Sequence, residues 1–249
     1  MAIVTTRVAE RPRDYVAVRG PDAADFLQRM VSNDVEAAPC SALLLTPKAK
    51  VIAPLVVMRR ADDDFLLLTE RGLGDAVRST LLRARFAAKA EIEPEEHRSV
   101  VVFGNVPGIP TREYGEPAAE VLDANLEPTL GADELERLRI EAGTPRFGAE
   151  IDERTLPAEA GLDETHVSFT KGCYPGQEPI VRLRHRGHVN RRLRVLDVAS
   201  AEPGAEIRFA DKVVGRITSA VPGVALGYVR AEVPEDAALQ VGGETARLH

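Results

Sequence analysis

The sequence predicts an α+β protein that ends in a small β-barrel. Three observations carry this. Up to residue 103, short apolar runs with strand alternation are interrupted by two runs with helical spacing. Past residue 190 the helical spacing stops and short strands recur, some separated by Pro203-Gly204 and Pro222-Gly223. The 249 residues are 44% apolar and 29% charged, enough to build a core and too apolar for a disordered chain.

Tyr15 to Val18 alternates as a strand, and Gly20-Pro21 ends it. Asp22 is the expected N-cap of a helix over Ala23 to Val31, where Phe26, Leu27 and Met30 share a face. Ser32-Asn33-Asp34 supplies the turn that closes it. Ala42 to Leu45 and Val51 to Met58 read as strands around a Pro47-Lys48 turn. Arg59 to Asp64 reads as a charged hairpin loop and Phe65 to Thr69 as the returning strand. Leu73, Val77, Leu81 and Leu82 predict a helix over Leu73 to Phe86. Ala90 to Ile92 and Val100 to Phe103 complete a β-α-β-β-β-α-β order, which suits helices on one face of an antiparallel sheet.

Asn105 to Asn125 reads as loop, with prolines at 107, 110 and 117. A helix is expected from about Asp133 to Glu141, stopped by Gly143 and Pro145. The later strands are Leu193 to Val198, Glu206 to Phe209, Lys212 to Ile217, Ala225 to Val229 and Thr245 to Leu248. Their spacing suits a barrel. Two domains are expected, 1–189 and 190–249.

Composition removes several classes of function. Lys plus Arg is 32 and Asp plus Glu is 39, a net charge of −7, so nucleic-acid binding over the whole surface is disfavoured. With no Trp and 4% aromatics, stacking platforms for single strands are scarce. Cys40 and Cys173 are the only cysteines, so no disulfide framework or zinc ligand set is expected. The first residues show no signal-peptide core, and the longest apolar run is interrupted by Pro54. A cytoplasmic protein with no membrane contact is the expectation.

The densest chemistry lies at Lys171-Gly172-Cys173-Tyr174-Pro175-Gly176-Gln177-Glu178. Two glycines and a proline permit an irregular backbone that approaches a ligand closely. Seven basic residues against one acid, Glu178, lie between 171 and 194, a local cationic patch for an anionic ligand. The plainer reading is a turn leading into a solvated arginine strand. Cys173 beside Lys171 has the setting of a reactive thiolate, or of an inert buried thiol. His185 and His188 are three apart, but the arginines around them disfavour a metal, and none is expected. Gly148 to Glu153 and Glu159 could bring carboxylates to a cavity, or form a solvated loop.

Lys171 to Glu178 matches the K-G-C-Y-x-G-Q-E signature of the YgfZ branch of the folate-binding aminomethyltransferase-like proteins, and the chain resembles that branch. Arg182 with Arg186-Gly187 matches its R-x-x-x-R-G continuation. Gly20 to Val35, Phe147 to Leu162, Val214 to Ser219 and Ala225 to Val229 extend the resemblance over most of the chain. It implies ferredoxin-like α+β subdomains around a central channel, with a C-terminal β-barrel. It also implies tetrahydrofolate or a one-carbon derivative as cofactor, and iron–sulfur proteins or their assembly factors as partners. The tRNA-modification label of the branch would then be indirect. Cys173 is its functional thiol, and Lys171, Tyr174, Gln177, Glu178, Arg182 and Asn33 are the implied folate-binding residues.

Two departures bear on activity. Ala53-Pro54 occupies the place of the catalytic aspartate pair in the related glycine cleavage T-protein, and neither residue accepts a proton. No counterpart of the T-protein segment that contacts folate and ends in a glutamate is evident between Phe103 and Leu130. The expected role is therefore accessory binding in iron–sulfur cluster assembly or repair. A folate-dependent one-carbon transferase, and an RNA-contacting module using the 182–194 arginines, are the alternatives.

Overall fold

The computed structural model describes residues 6–249, apart from the side chain of Arg186, the second arginine of the matched continuation. In chain order the elements begin with β1 (Val8–Glu10), β2 (Arg13–Arg19), α1 (Ala23–Met30) and β3 (Cys40–Leu45). Next come β4 (Val51–Ala61), β5 (Asp64–Glu70), α2 (Gly74–Ala84), β6 (Glu91–Glu95) and β7 (Ser99–Phe103). Then follow β8 (Ile109–Thr111), β9 (Ala118–Leu122), α3 (Ala132–Glu141) and α4 (Gln177–Arg186). The last six strands are β10 (Arg191–Val198), β11 (Glu206–Phe209), β12 (Lys212–Val221), β13 (Gly223–Arg230), β14 (Leu239–Val241) and β15 (Glu244–Leu248).

The first sheet is antiparallel in the order β3-β4-β5-β2-β6. Period-two alternation divides its residues between two faces. Val16, Val18, Leu55, Phe65 and Leu67 turn toward α1 and α2, where Phe26, Leu27, Val77 and Leu81 meet them. Each such side chain contributes roughly 1.5–3 kcal/mol through burial. Tyr15, Ala17, Leu66 and Leu68 turn the other way and pack on Ile109 of the second sheet. That sheet has the order β1-β7-β9-β8, and its Val101 and Phe103 pack against Leu135 and Leu138 of α3.

A one-residue irregularity in β4 sets up the site. Leu44 pairs with Ala53 and Leu45 with Val51, so Ile52 is an extra residue. Ile52 and Ala53 both pack on the helical side, as consecutive residues of a bulge do. Pro54 then faces the opposite side. The β4–β5 pairing starts one residue later, at Leu55–Thr69, so the N–H that proline lacks is not needed there. Its carbonyl accepts from Thr69 Oγ1 at 2.8 Å.

The last six strands close into a barrel in the order β10-β13-β12-β11-β14-β15. Closure removes sheet edges. Gly215 lies so close to the carbonyl of Tyr228 on the neighbouring strand that no Cβ fits.

Several expectations are corrected. The arginine-rich stretch forms the helix α4 before β10 begins. The region read as loop around 105–125 holds β8 and β9, which the prolines obscured. The charged run after Met58 is mostly strand, because β4 continues to Ala61 and only two residues turn. Asp22 makes no side-chain cap on α1; its carboxylate accepts from the Lys89 N–H at 2.7 Å. The second helix stops at Ala84, short of Phe86.

Candidate functional site

A cavity of about 1460 Å³ lies where both sheets, α3, α4 and β10 come together. Pro54 faces it from β4, Ile180, Leu183 and Arg184 from α4, and Arg192 and Arg194 from β10.

Its floor carries a network of two guanidiniums and three carboxylates. Arg11 donates to Glu70 at 2.7 and 3.0 Å and to Glu113 at 3.2 Å. Arg13 Nε donates to both oxygens of Glu120, at 2.7 and 2.9 Å, and its Nη2 donates to Glu113 at 3.2 Å. Ser99 donates a further hydrogen bond to Glu120. Burial alone would raise the Glu113 carboxyl, but Arg13 and then Arg11 reverse this and hold it at about 2. Each Glu113 oxygen takes one long bond, so the carboxylate keeps capacity for further donors. Arg11 Nε is buried beside it with no partner.

His166 lines the same cavity, and burial pushes its ring down to about 4. The imidazole is therefore neutral at neutral pH, with Nδ1 2.7 Å from Thr165 Oγ1. At the mouth, the Arg184 guanidinium lies over the Phe169 ring at 3.7 Å, and His188 and Arg192 are exposed.

A second network joins α3 to the barrel. Arg139 donates to Glu150 at 3.0 Å and to Ser219 at 2.9 Å, and Ser219 donates to Glu150 at 2.6 Å. Tyr228 Oη donates to the Glu150 carbonyl at 2.9 Å. Of the acidic stretch named from the sequence, Glu150 is buried in this joint, while Glu159 lines the cavity and pairs with Arg191 at 3.1 Å.

The signature residues cluster elsewhere. Gly176 begins α4 with φ +84°, and a Cβ there would stand 2.6 Å from the Thr46 carbonyl. Only glycine lets this turn pack on the β3–β4 hairpin. Lys171 Nζ donates to the carbonyls of Val31 and Asn33 at 2.7 and 2.8 Å, and burial pushes the ammonium down to about 8. Asn33 Nδ2 donates to the Ser41 carbonyl at 2.7 Å. Tyr174 is buried under the Lys171 ammonium, which lies 5.4 Å from its ring. Glu178 is exposed and pairs with Arg182 at 2.6 Å, one helical turn on. Gln177 is half-buried. Cys173 is exposed and free, whereas Cys40 is half-buried and its thiol is pushed up to about 11, by burial first and then by Asp34.

The structure thus brings Lys171, Asn33 and Tyr174 together as a clamp at the end of α1, with Cys173 presented beside it. None of the seven implied site residues is on the cavity wall. The wall instead holds Arg11, Arg13, Glu113, Glu120 and His166, which sequence reasoning missed. Glu120 breaks the apolar run Ala118-Ala119-Glu120-Val121-Leu122, and an acid inside a strand was the available signal.

Comparison with known proteins fits this architecture. Residues 181–249 match the family model described as CAF17, C-terminal beta-barrel domain. An iron–sulfur cluster assembly factor IBA57 homolog, mitochondrial, from Phaeosphaeria nodorum is 23% identical over 92% of this chain and 71% of its own length. The tRNA-modifying protein YgfZ of Pectobacterium atrosepticum is 26% identical over 70% of this chain and 65% of its own length. The glycine cleavage system aminomethyltransferase T of Bartonella henselae superposes with a TM-score of 0.82. It covers 97% of this chain and 84% of that one at 20% identity, a likeness of fold. Barrel model, relatives and fold agree: the chain has the aminomethyltransferase-like fold with a CAF17-type C-terminal barrel, and it is similar to YgfZ and IBA57 proteins.

Proposed function

We infer that this protein binds a reduced folate in the cavity and serves as an accessory factor for iron–sulfur proteins, with Cys173 as its functional thiol. The cavity carries the reading. Small-molecule sites span roughly 300–1,000 Å³, so a volume of about 1460 Å³ admits a flat heterocycle and its tail. A pterin edge is a row of N–H donors, and Glu113 has unused acceptor capacity. The exposed Arg184 and Arg192 at the mouth suit the anionic glutamate tail. The names of the IBA57 and YgfZ relatives support the iron–sulfur and tRNA-modification context.

Binding is favoured over aminomethyl transfer. Pro54 fills the cavity-facing strand position where the T-protein resemblance puts an aspartate, and it cannot take a proton. The signature loop acts in this reading as a platform. Lys171 and Gly176 fix its backbone, and Cys173 meets a protein partner at the surface while the folate sits inside.

Calorimetry with tetrahydrofolate tests the binding step. Saturable heat and a raised melting temperature are expected, and no heat with no thermal protection at millimolar ligand overturns it. Cys173→Ala is expected to keep the fold and lose function in complementation of cluster-enzyme activity. Full activity in that variant removes the thiol from the mechanism.

A further inference from the structure

Phe86 is 91% exposed, far above Val213 at 41% and Leu126 at 38%. It follows the end of α2 with φ +45°, a conformation that disfavours any residue with a bulky Cβ. A strained and fully solvated aromatic contributes nothing to this fold that glycine would not, and such outliers point to function.

Beside it lies a recess of about 500 Å³ walled by Phe26, Met30, Ala84 and Ala88. Arg83, Arg85 and Lys89 lie within three residues of Phe86 along the chain and are exposed, and Arg85 lines the recess. Arg83 bonds the Thr80 hydroxyl and Arg85 the Ala90 carbonyl, and none of the three forms an ion pair among the described residues. The neighbouring acids are already engaged, Asp25 with Arg29 and Asp22 with the Lys89 N–H. Among the described residues of a chain of net charge −7, three cations without an ion pair thus lie within three residues of the most exposed large apolar side chain.

We propose that Phe86 and this recess form a docking surface for an acidic protein segment that inserts one apolar side chain between Phe86 and Phe26. The recess takes apolar side chains, which a phosphate backbone does not present. The surface lies on the helical side of the first sheet, and the cavity lies on the other, so docking leaves the folate site open.

The test measures the anisotropy of a labelled peptide, a Leu-Phe pair flanked on each side by three glutamates, against the full chain. Wild type is expected to bind, more weakly at about 300 mM salt than at about 30 mM. Phe86→Ser, and separately the triple change Arg83→Glu, Arg85→Glu and Lys89→Glu, are expected to weaken binding at least tenfold. Phe86→Gly keeps the fold testable: it should raise the melting temperature by about 2 °C while losing the peptide. Equal binding by wild type and variants, or no wild-type binding at millimolar peptide, overturns the proposal. So does a variant effect on single-stranded oligonucleotide or anionic vesicles with none on the peptide.

Discussion

Arg13 and Glu120 join the two sheets across their seam. Arg13 Nε donates to both carboxylate oxygens, and the side chains are 5% and 2% exposed. Burying such a pair is costly, but leaving either member alone costs more. Glu120→Ala is expected to lower stability by about 3–5 kcal/mol in urea unfolding. The double change Arg13→Met and Glu120→Met should recover most of that loss. A double variant as unstable as the single one would show that the seam needs the charges themselves.

His166 makes the fold sensitive to acid. Burial depresses its ring to about 4, and an unfolded histidine titrates near 6.5. Its contribution is therefore complete above pH 6.5 and lost as the pH falls toward 4, because the unfolded chain binds the proton first. The effect is on the order of 2 kcal/mol. His166→Asn is expected to flatten the stability curve between pH 6.5 and 4. An unchanged slope, or an NMR titration of this ring near 6.5, would contradict the assignment.

The two thiols should differ in reactivity. Cys173 is exposed, whereas Cys40 is half-buried with its thiol pushed up to about 11. Thiolate is the nucleophile. Iodoacetamide at pH 8 is expected to label Cys173 at least tenfold faster than Cys40, read by peptide mass spectrometry. Comparable rates would mean that the loop before α4 is packed differently.

Gly176→Ala should cost about 2 kcal/mol or more. The left-handed backbone and the Thr46 carbonyl 2.6 Å from the new Cβ both oppose it. Thermal or urea unfolding measures this. A loss below about 0.5 kcal/mol would mean that the turn relaxes, and that the glycine is kept for another reason.

Much of the fold was legible in the residues. Val16 and Val18 against Tyr15 and Ala17 announce a sheet with two covered faces, and the leucines of α2 announce its cover. Pro110 hid β8, because a short strand at a sheet edge tolerates the proline that pattern reading takes for a loop, and Pro117 hid the inner strand β9 by standing just before it. In α4, Glu178, Arg182, Arg184 and His185 fill exposed positions and few apolar residues mark the buried face, so its period was faint. The site was legible only in part. The signature stood out because its backbone is unusual, whereas Arg11, Glu113 and His166 meet only after three separate segments fold together.

Glu150 also constrains how this chain can change over generations. A helix, a loop and the barrel share its one buried negative charge through Arg139 and Ser219. A lineage that lost the acid would leave Arg139 with Glu136 as its one anionic partner, and one that lost the cation would strand the buried acid. Across relatives, positions 139, 150 and 219 should therefore drift as a set or stay fixed.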